Sequence, residues 1–160
     1  MFVGSIVKLQ DILQKNAVLV DLAVRNKPEL LCRMAQYLSS LYDLRMPDRV
    51  VEGIFAREAD LSTGIGHAIA LPHARLETVD RVHMVVARTA VPVEFGAIDD
   101  EPVRLVFMLV SPMNSSEHTT VLSQVSRIMY HEDVRADLMA ASDAQSFFEI
   151  LVAGENKYGC

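Results

Sequence analysis

The sequence predicts an α/β sandwich in which helices cover both faces of a central sheet. Three observations indicate this class. Segments typical of the two element types follow one another as strand, two helices, three strands and three helices. The segment Val103–Val110 is apolar at every position except Arg104, as expected of a strand that is covered on both faces. With 160 residues, 51% of them hydrophobic, the chain is long enough for one substantial core and short for two, so a single domain is expected.

The first strand and the two helices after it are indicated by residue type and spacing. Val18–Val24 is rich in β-branched and apolar residues, which favours a buried strand. A helix follows, with Asn26 as its cap and Pro28 in its opening turn. Its apolar face consists of Leu30, Leu31, Met34, Ala35, Leu38, Leu41 and Tyr42. A second helix is predicted from Pro47 to about Glu58, with Arg57 near its C-terminal end and facing away from the apolar stripe.

Three further strands are predicted at residues 68–71, 82–91 and 103–110. Pro92 and Pro102 bound the connection between the last two, and glycine and aspartate residues between them favour turns. This connection is therefore expected to be hairpin-like.

Three helices are expected after Pro112. Asn114–Ser116 can cap the first of them, and the capping box Ser142-x-x-Gln145 indicates the start of the last. No pattern continues beyond residue 153. The prediction is one domain over residues 6–153 and a short tail over residues 154–160.

Composition and charge exclude several classes of protein. The net charge is −6, and the 15 lysine and arginine residues are scattered, which argues against a nucleic-acid surface and favours a basic protein partner. Cys32 and Cys160 give neither a disulfide framework nor zinc-site spacing, as is typical of a reducing cytoplasm. Lys8 and Asp11 interrupt the apolar N-terminus, so neither a signal peptide nor direct membrane insertion is expected.

No metal or small cofactor is predicted. The histidines at positions 67, 73 and 83 lack the spacing of zinc-binding helices, and neither a Walker loop nor a dinucleotide fingerprint is present.

The segment from Ser62 to Arg75 is the most informative part of the chain. It reads Ser-Thr-Gly-Ile-Gly-His-Ala-Ile-Ala-Leu-Pro-His-Ala-Arg. Gly64 and Gly66 permit backbone conformations and close approaches that other residues resist, and Pro72 fixes its own φ. His73 is therefore expected where a strand gives way to a loop. The alternative is a histidine that only fills a turn.

The run Ser-Thr-Gly-Ile-Gly-x-x-Ile-Ala-x-Pro-His-Ala resembles the active-site signature of the fructose/mannitol-type (type 2) enzyme IIA domains of the bacterial phosphotransferase system. Further landmarks match in order: Arg57-Glu58, the run from Phe95 to Val103, and His118. The resemblance covers residues 6–153 and implies an α/β three-layer sandwich, a mixed β-sheet with helices on both faces. It also implies that His73 carries a phosphoryl group on Nε2.

The same resemblance implies catalytic roles for two other residues. Arg57 offers a planar set of donors that matches phosphate oxygens. His118 is placed in the first turn of its helix, where backbone N–H groups and the positive dipole end favour an anion. Without the resemblance, Arg57 would be interpreted as a surface ion-pair partner of Glu58 or Asp60, and His118 as a solvent-facing histidine.

Five residues of the signature are expected in supporting roles: Ser62, Thr63, Gly64, Gly66 and His67. The hydroxyls of Ser62 and Thr63 could hold the imidazole or a phosphate oxygen, or could serve only a turn. His67 stands where the resembling family more often has asparagine, and is expected to give polar support or to line the site.

The resemblance implies a phosphoryl carrier that accepts phosphate from an HPr-like histidine phosphocarrier protein. The Gly-Ile-Gly, Ala-Leu-Pro-His-Ala-Arg-Leu and Asp-Asp-x-Pro-Val runs most resemble the nitrogen-regulatory branch, in which phosphorylation governs binding to regulatory or transport proteins. One alternative is a sugar-specific component that passes phosphate to a IIB domain. Another is a binding module of the same fold that is never phosphorylated.

Overall fold

The computed structural model describes residues 7–159. Expectations for the N-terminal run before residue 7, including the start of the predicted domain at residue 6, and for Cys160 lie outside these residues. Within residues 7–159 the helices are α1 (Leu9–Ile12), α2 (Lys27–Leu41), α3 (Pro47–Asp60), α4 (Glu117–Met129), α5 (Glu132–Ala140) and α6 (Ala144–Tyr158), with a 3-10 turn at Lys15–Ala17. The strands are β1 (Val18–Leu22), β2 (Gly64–Gly66), β3 (Ile69–Ala70), β4 (His73–Arg75), β5 (His83–Val93) and β6 (Val103–Ser111).

The strands form one mixed sheet in the order β1-β5-β6-β3-β2, with β4 also paired to β6. β1 is parallel to β5, and β3 and β4 are parallel to β6. β5 and β6 are antiparallel, which confirms the hairpin-like connection between them. β6 therefore lies at the centre, with β4 beside its C-terminal half.

Helices cover both faces of the sheet, as predicted. α2 and α3 pack on each other and against β5 and β4, whereas α4 and α6 pack on each other and against β6 and β1. Every residue from Leu105 to Ser111 is buried. Since successive side chains of a strand point to opposite faces, this continuous burial requires a layer on each side.

The predicted helix caps are partly correct. The side chain of Asn26 accepts a hydrogen bond from the backbone N–H of Glu29, as expected. At the last helix the capping side chain is that of Asp143, which accepts from the N–H of Ser146, and not that of Ser142.

The predicted tail over residues 154–160 is wrong in its extent. α6 continues to Tyr158, and both Gly154 and Glu155 are buried. A Cβ at Gly154 would lie 3.2 Å from Val134 Cγ1 and 3.3 Å from Ile128 Cγ2, so glycine allows close packing against α4 and α5. The residues that end the apolar pattern in the sequence are thus those that dock this helix.

The segment around His73 also differs from the prediction. The expected strand at residues 68–71 is only the two-residue β3, and the short strands β2 and β4 lie on either side of it. His73 opens β4 instead of standing at a strand-to-loop junction. The reason for this difference is that His73 pairs in parallel with Leu109 of β6, which makes it part of a strand.

Candidate active site around His73

His73 is held by the main chain on both sides. The carbonyl oxygen of Pro72 accepts a hydrogen bond from the backbone N–H of Leu109 at 3.0 Å, and β4 continues the pairing with β6. The His73 side chain is partly exposed. A short strand on a buried central strand therefore fixes the backbone that presents this imidazole.

A backbone carbonyl sets the tautomer of His73. Nδ1 lies 2.7 Å from the carbonyl oxygen of Leu71. A carbonyl oxygen can only accept, so in the neutral ring Nδ1 carries the proton and Nε2 carries the lone pair. Nε2 has no hydrogen-bond partner among residues 7–159.

The surroundings of His73 favour its neutral form. Burial lowers the pKa of the ring below its usual value, and the positive charges of Arg57 and Arg75 act in the same direction. The hydrogen bond to Leu71 and the charge of Glu58 oppose this change without cancelling it. The ring is therefore neutral near pH 7, as a nitrogen nucleophile must be.

His118 lies against His73. It is the second residue of α4, as expected, but it is buried with only 4% of its surface exposed. The two rings meet edge to face, with centroids 5.2 Å apart and planes at 67°. Burial, and then the charges of Arg75 and His73, lower the pKa of His118 to about 4. This second imidazole is also neutral near pH 7.

A cleft of about 280 Å³ opens beside the two histidines. Its lining residues are Gly53, Arg57, His73, Ala74, Arg75 and His118. Arg57 lies in the last turn of α3, and its Nη1 donates to the carbonyl oxygen of Leu61 at 2.9 Å. The fold therefore brings Arg57, His73 and His118 to one cleft from a helix end, a strand and a helix start.

Arg75 also lines this cleft, and the sequence interpretation did not single it out. Its Nη1 donates to the carbonyl oxygens of Ser115 at 2.8 Å and Met113 at 3.2 Å, which fixes the loop before α4. A signal was present in the sequence. Residues two apart on a strand share a face, so Arg75 lies on the same side of β4 as His73.

Thr63 serves a different contact from the one expected. Its hydroxyl donates to a carboxylate oxygen of Glu58 at 2.6 Å, and its backbone N–H donates to the other oxygen at 2.9 Å. Thr63 and Glu58 are both buried, and Nζ of Lys27 lies 2.8 Å from Glu58. Thr63 thus joins the residue before β2 to α3 and is not hydrogen-bonded to the imidazole of His73.

Ser62 is a turn residue, the second of the two roles considered for it. Its hydroxyl accepts from the N–H of Gly64 and donates to the carbonyl oxygen of Phe95, both at 3.2 Å. A Cβ at Gly64 would lie 2.7 Å from the Cβ of Ala97, so glycine is required where β2 meets this loop. Ser62 and Gly64 hold the signature segment against the loop at residues 95–97, and neither residue lines the cleft.

His67 is not a lining residue. It is exposed, and with Ala68 it forms the two-residue loop between β2 and β3, where their φ angles are +56° and +65°. Positive φ at both positions is the type I′ geometry, which asparagine and glycine adopt most easily. Asp99 accepts from the backbone N–H of His67 at 3.0 Å and closes this loop. Gly66 before it also has a positive φ, +96°.

Residues 11–153 match the family described as "Phosphoenolpyruvate-dependent sugar phosphotransferase system, EIIA 2". The chain belongs to this family. A nitrogen regulatory protein of Pseudomonas aeruginosa is 31% identical over 151 residues, which cover 94% of this chain and 98% of that protein. A fructose-specific EIIA component of Haloferax volcanii is 36% identical over 105 residues, which cover 65% of this chain and 68% of that protein.

A solved structure supports the same assignment. The crystal structure of nitrogen regulatory protein IIA-Ntr from Neisseria meningitidis matches 89% of this chain and 98% of its own, with a TM-score of 0.84 and 34% identity. The protein is an EIIA-type domain with both nitrogen regulatory and sugar-specific relatives, and a phosphocarrier role fits both groups. Over residues 7–159, none of the helices is long and apolar enough to span a membrane.

Proposed function

We propose that the protein is a phosphoryl carrier in which Nε2 of His73 accepts the phosphoryl group of an HPr-like histidine phosphocarrier. The hydrogen bond between Nδ1 of His73 and the carbonyl oxygen of Leu71 carries this proposal. It holds the proton on Nδ1 and leaves the lone pair of Nε2 available beside the cleft.

The transfer step balances without an added base. The N–P bond of the donor phosphohistidine breaks, its electron pair returns to the donor ring, and the lone pair of His73 Nε2 forms the new N–P bond. The His73 ring then bears a phosphoryl group on Nε2 and a proton on Nδ1, so it is positively charged. Leu71 continues to accept from that proton, and a hydrogen bond from a charged donor is stronger than one from a neutral donor.

Arg57 and His118 have separate roles in this proposal. Arg57 supplies a positive charge and N–H donors to the phosphoryl oxygens, on which negative charge is spread during transfer. His118 is neutral and can donate one hydrogen bond to the same group. Arg75 holds the loop before α4, the helix that carries His118, and adds a second positive charge to the cleft.

The nitrogen-regulatory role is the first choice for the fate of the phosphate. It rests on the resemblance of the signature runs and on the IIA-Ntr relatives. A phosphate on His73 adds negative charge at a partly exposed position, so it changes the surface that a regulatory or transport protein would contact. The cytoplasm is part of this proposal, because an HPr-like donor works there.

Transfer to a IIB domain for sugar uptake is the second candidate. The observation that favours it is the 36% identity to a fructose-specific EIIA component. The two candidates share the chemistry at His73 and differ in the acceptor.

The experiment is phosphoryl transfer to the purified protein from phosphoenolpyruvate, enzyme I and each of two carriers, one sugar-type HPr and one nitrogen-branch carrier. We expect an acid-labile phosphate on Nε2, located by the distinct phosphorus NMR signals of the two phosphohistidine isomers. His73→Ala should abolish the label, and His67→Ala, which changes a histidine outside the cleft, should keep it.

The choice of carrier and acceptor separates the two candidates. Faster labelling by the nitrogen-branch carrier, with no passage to a IIB domain, supports the regulatory role. Passage to a IIB domain supports sugar uptake. A protein that none of the carriers labels is a binding module, and the proposal is then wrong.

A further inference from the structure

Ser111 contacts the second histidine of the site from inside the core. It is the last residue of β6, it pairs with Arg75 of β4, and none of its surface is exposed. Its hydroxyl is hydrogen-bonded to Nδ1 of His118. The sequence gives no sign of this role, because Ser111 is seven residues from His118 and ends an apolar run.

The direction of this hydrogen bond follows from what else the serine can reach. Among residues 7–159, Nδ1 of His118 is the one hydrogen-bond partner of the Ser111 hydroxyl. If Nδ1 carried the proton and donated to the serine, the hydroxyl proton would be buried without an acceptor, which is costly. The favourable arrangement has the serine donating to Nδ1.

We infer that Ser111 is a positioning residue: it holds His118 in the tautomer with the proton on Nε2, so that His118 donates a hydrogen bond to a phosphoryl oxygen on His73. This inference rests on the proposed function for its last clause only. The tautomer of His118 is a property of the protein without phosphate.

The two imidazoles then have opposite tautomers. In His73 a carbonyl oxygen holds the proton on Nδ1, and Nε2 is an acceptor. In His118 a hydroxyl donates to Nδ1, and Nε2 is a donor. One ring is set to attack the phosphoryl group and the other to bind its oxygens, although both are neutral histidines 5.2 Å apart.

The hydrogen bond from Ser111 also affects protonation. The serine donates to the neutral form of His118, so it opposes protonation of Nδ1. Removing the hydroxyl should therefore raise the pKa of His118. If instead the ring donated to the serine, this hydrogen bond would also form in the charged ring. Removing the hydroxyl would then lower the pKa of His118. The other charged or titratable groups that act on this ring are Arg75 and His73, and both stay in place.

The first experiment measures the tautomers in the unphosphorylated wild-type protein by long-range proton–nitrogen NMR of the histidine rings. We expect His118 protonated on Nε2 and His73 on Nδ1. A His118 ring protonated on Nδ1 overturns the inference. This measurement needs neither a phosphoryl donor nor a variant that folds.

The second experiment compares Ser111→Ala with Ser39→Ala. Ser39 is also buried, and its hydroxyl donates to the carbonyl oxygen of Ala35 at 2.9 Å. Ser39→Ala therefore removes a buried hydroxyl from α2, a helix that does not line the cleft. We expect Ser111→Ala to raise the pKa of His118 and to slow labelling of His73 by roughly tenfold, the loss typical of one hydrogen bond to a charged group.

Ser39→Ala should change neither quantity. The inference is overturned if Ser111→Ala leaves the pKa of His118 unchanged or lowers it. It is also overturned if Ser111→Ala is labelled at the wild-type rate. A wild-type protein that is not labelled at all removes the proposed function, and the tautomer measurement still decides the role of Ser111.

Discussion

Nζ of Lys27, at the start of α2, lies 2.8 Å from the carboxylate of Glu58, near the end of α3. The same carboxylate accepts both hydrogen bonds of Thr63. The Glu58 side chain is 5% exposed, and that of Lys27 is 24% exposed. Three segments that precede His73 in the chain therefore meet at one buried charge.

Glu58→Gln should destabilise the fold by about 1–3 kcal/mol, because it removes the charge of a buried pair and leaves hydrogen-bonding groups mismatched. Urea unfolding measures the effect. Glu52→Gln is the matched control, since Glu52 is on the same helix and its side chain is 67% exposed. Equal losses in the two variants would contradict a structural role for Glu58.

The stability of the protein should depend on pH through His118. Its folded pKa is about 4 against an ordinary value of 6.5, so between these values the unfolded chain binds more protons than the folded one. The free energy of unfolding therefore falls as the pH drops through this range, by up to about 3 kcal/mol from His118. The lowered pKa of His73 adds to the fall.

Urea unfolding of wild type and His118→Asn at about pH 7.5 and about pH 4.5 measures this contribution. The carboxylates titrate in both proteins and largely cancel in the difference. The variant should lose less stability on acidification. The same loss in both proteins would show that His118 does not contribute.

Arg57→Lys should slow phosphoryl transfer by roughly 10- to 100-fold, because lysine keeps the charge but not the planar set of donors. The rate of His73 labelling at a fixed carrier concentration measures it. Arg49→Lys is the control, since Arg49 is on the same helix and its side chain is 63% exposed. An unchanged rate for Arg57→Lys would remove Arg57 from the site.

Ala68→Gly should stabilise the protein by about 0.5–1 kcal/mol, because Ala68 has a positive φ that costs an L side chain energy and glycine little. Thermal or urea unfolding measures this gain. The same substitution at Ala56, within α3, should instead destabilise by about 1 kcal/mol. A loss of stability at both positions would show that the loop does not require this conformation.

Glu155→Ala should loosen the N-terminal helix. The buried carboxylate of Glu155 in α6 accepts from the backbone N–H groups of Leu9 and Gln10 at the start of α1. Amide exchange of α1 should accelerate, and the protein should lose about 1–3 kcal/mol of stability. Glu149→Ala, an exposed position on the same helix, is the control, and matching exchange rates in the two variants would argue against this contact.

The sequence predicts the long elements of this fold well, for physical reasons. β5 and β6 are long and mostly apolar, and α2 has both a capping side chain and a regular apolar face. β2, β3 and β4 have two or three residues each. β3 and β4 pair with residues of β6 that lie 36 residues further along the chain, and β2 pairs with β3 across a tight loop. Local sequence cannot specify such strands, because their partners define them.

The residues of the site also divide into those that the sequence predicts and those that it does not. His73 and Arg57, which line one cleft, can be predicted from a motif, because the chemistry proposed for them depends on residue type and order. The contacts of Thr63 and Ser111 cannot be predicted in this way, because each side chain is hydrogen-bonded to a partner that comes close only when the chain folds. The loop role of His67 is not predicted either, because the positive φ at residues 67 and 68 belongs to the tight loop that forms when β2 pairs with β3.

The contact between α1 and α6 brings the two ends of the described chain together. Leu9 and Glu155 are hydrogen-bonded, and α6 packs against β1, which β5 and β6 separate from the strand that holds His73. A domain whose ends meet at one edge can be joined to a neighbour, or inserted into a longer chain, without strain on its core.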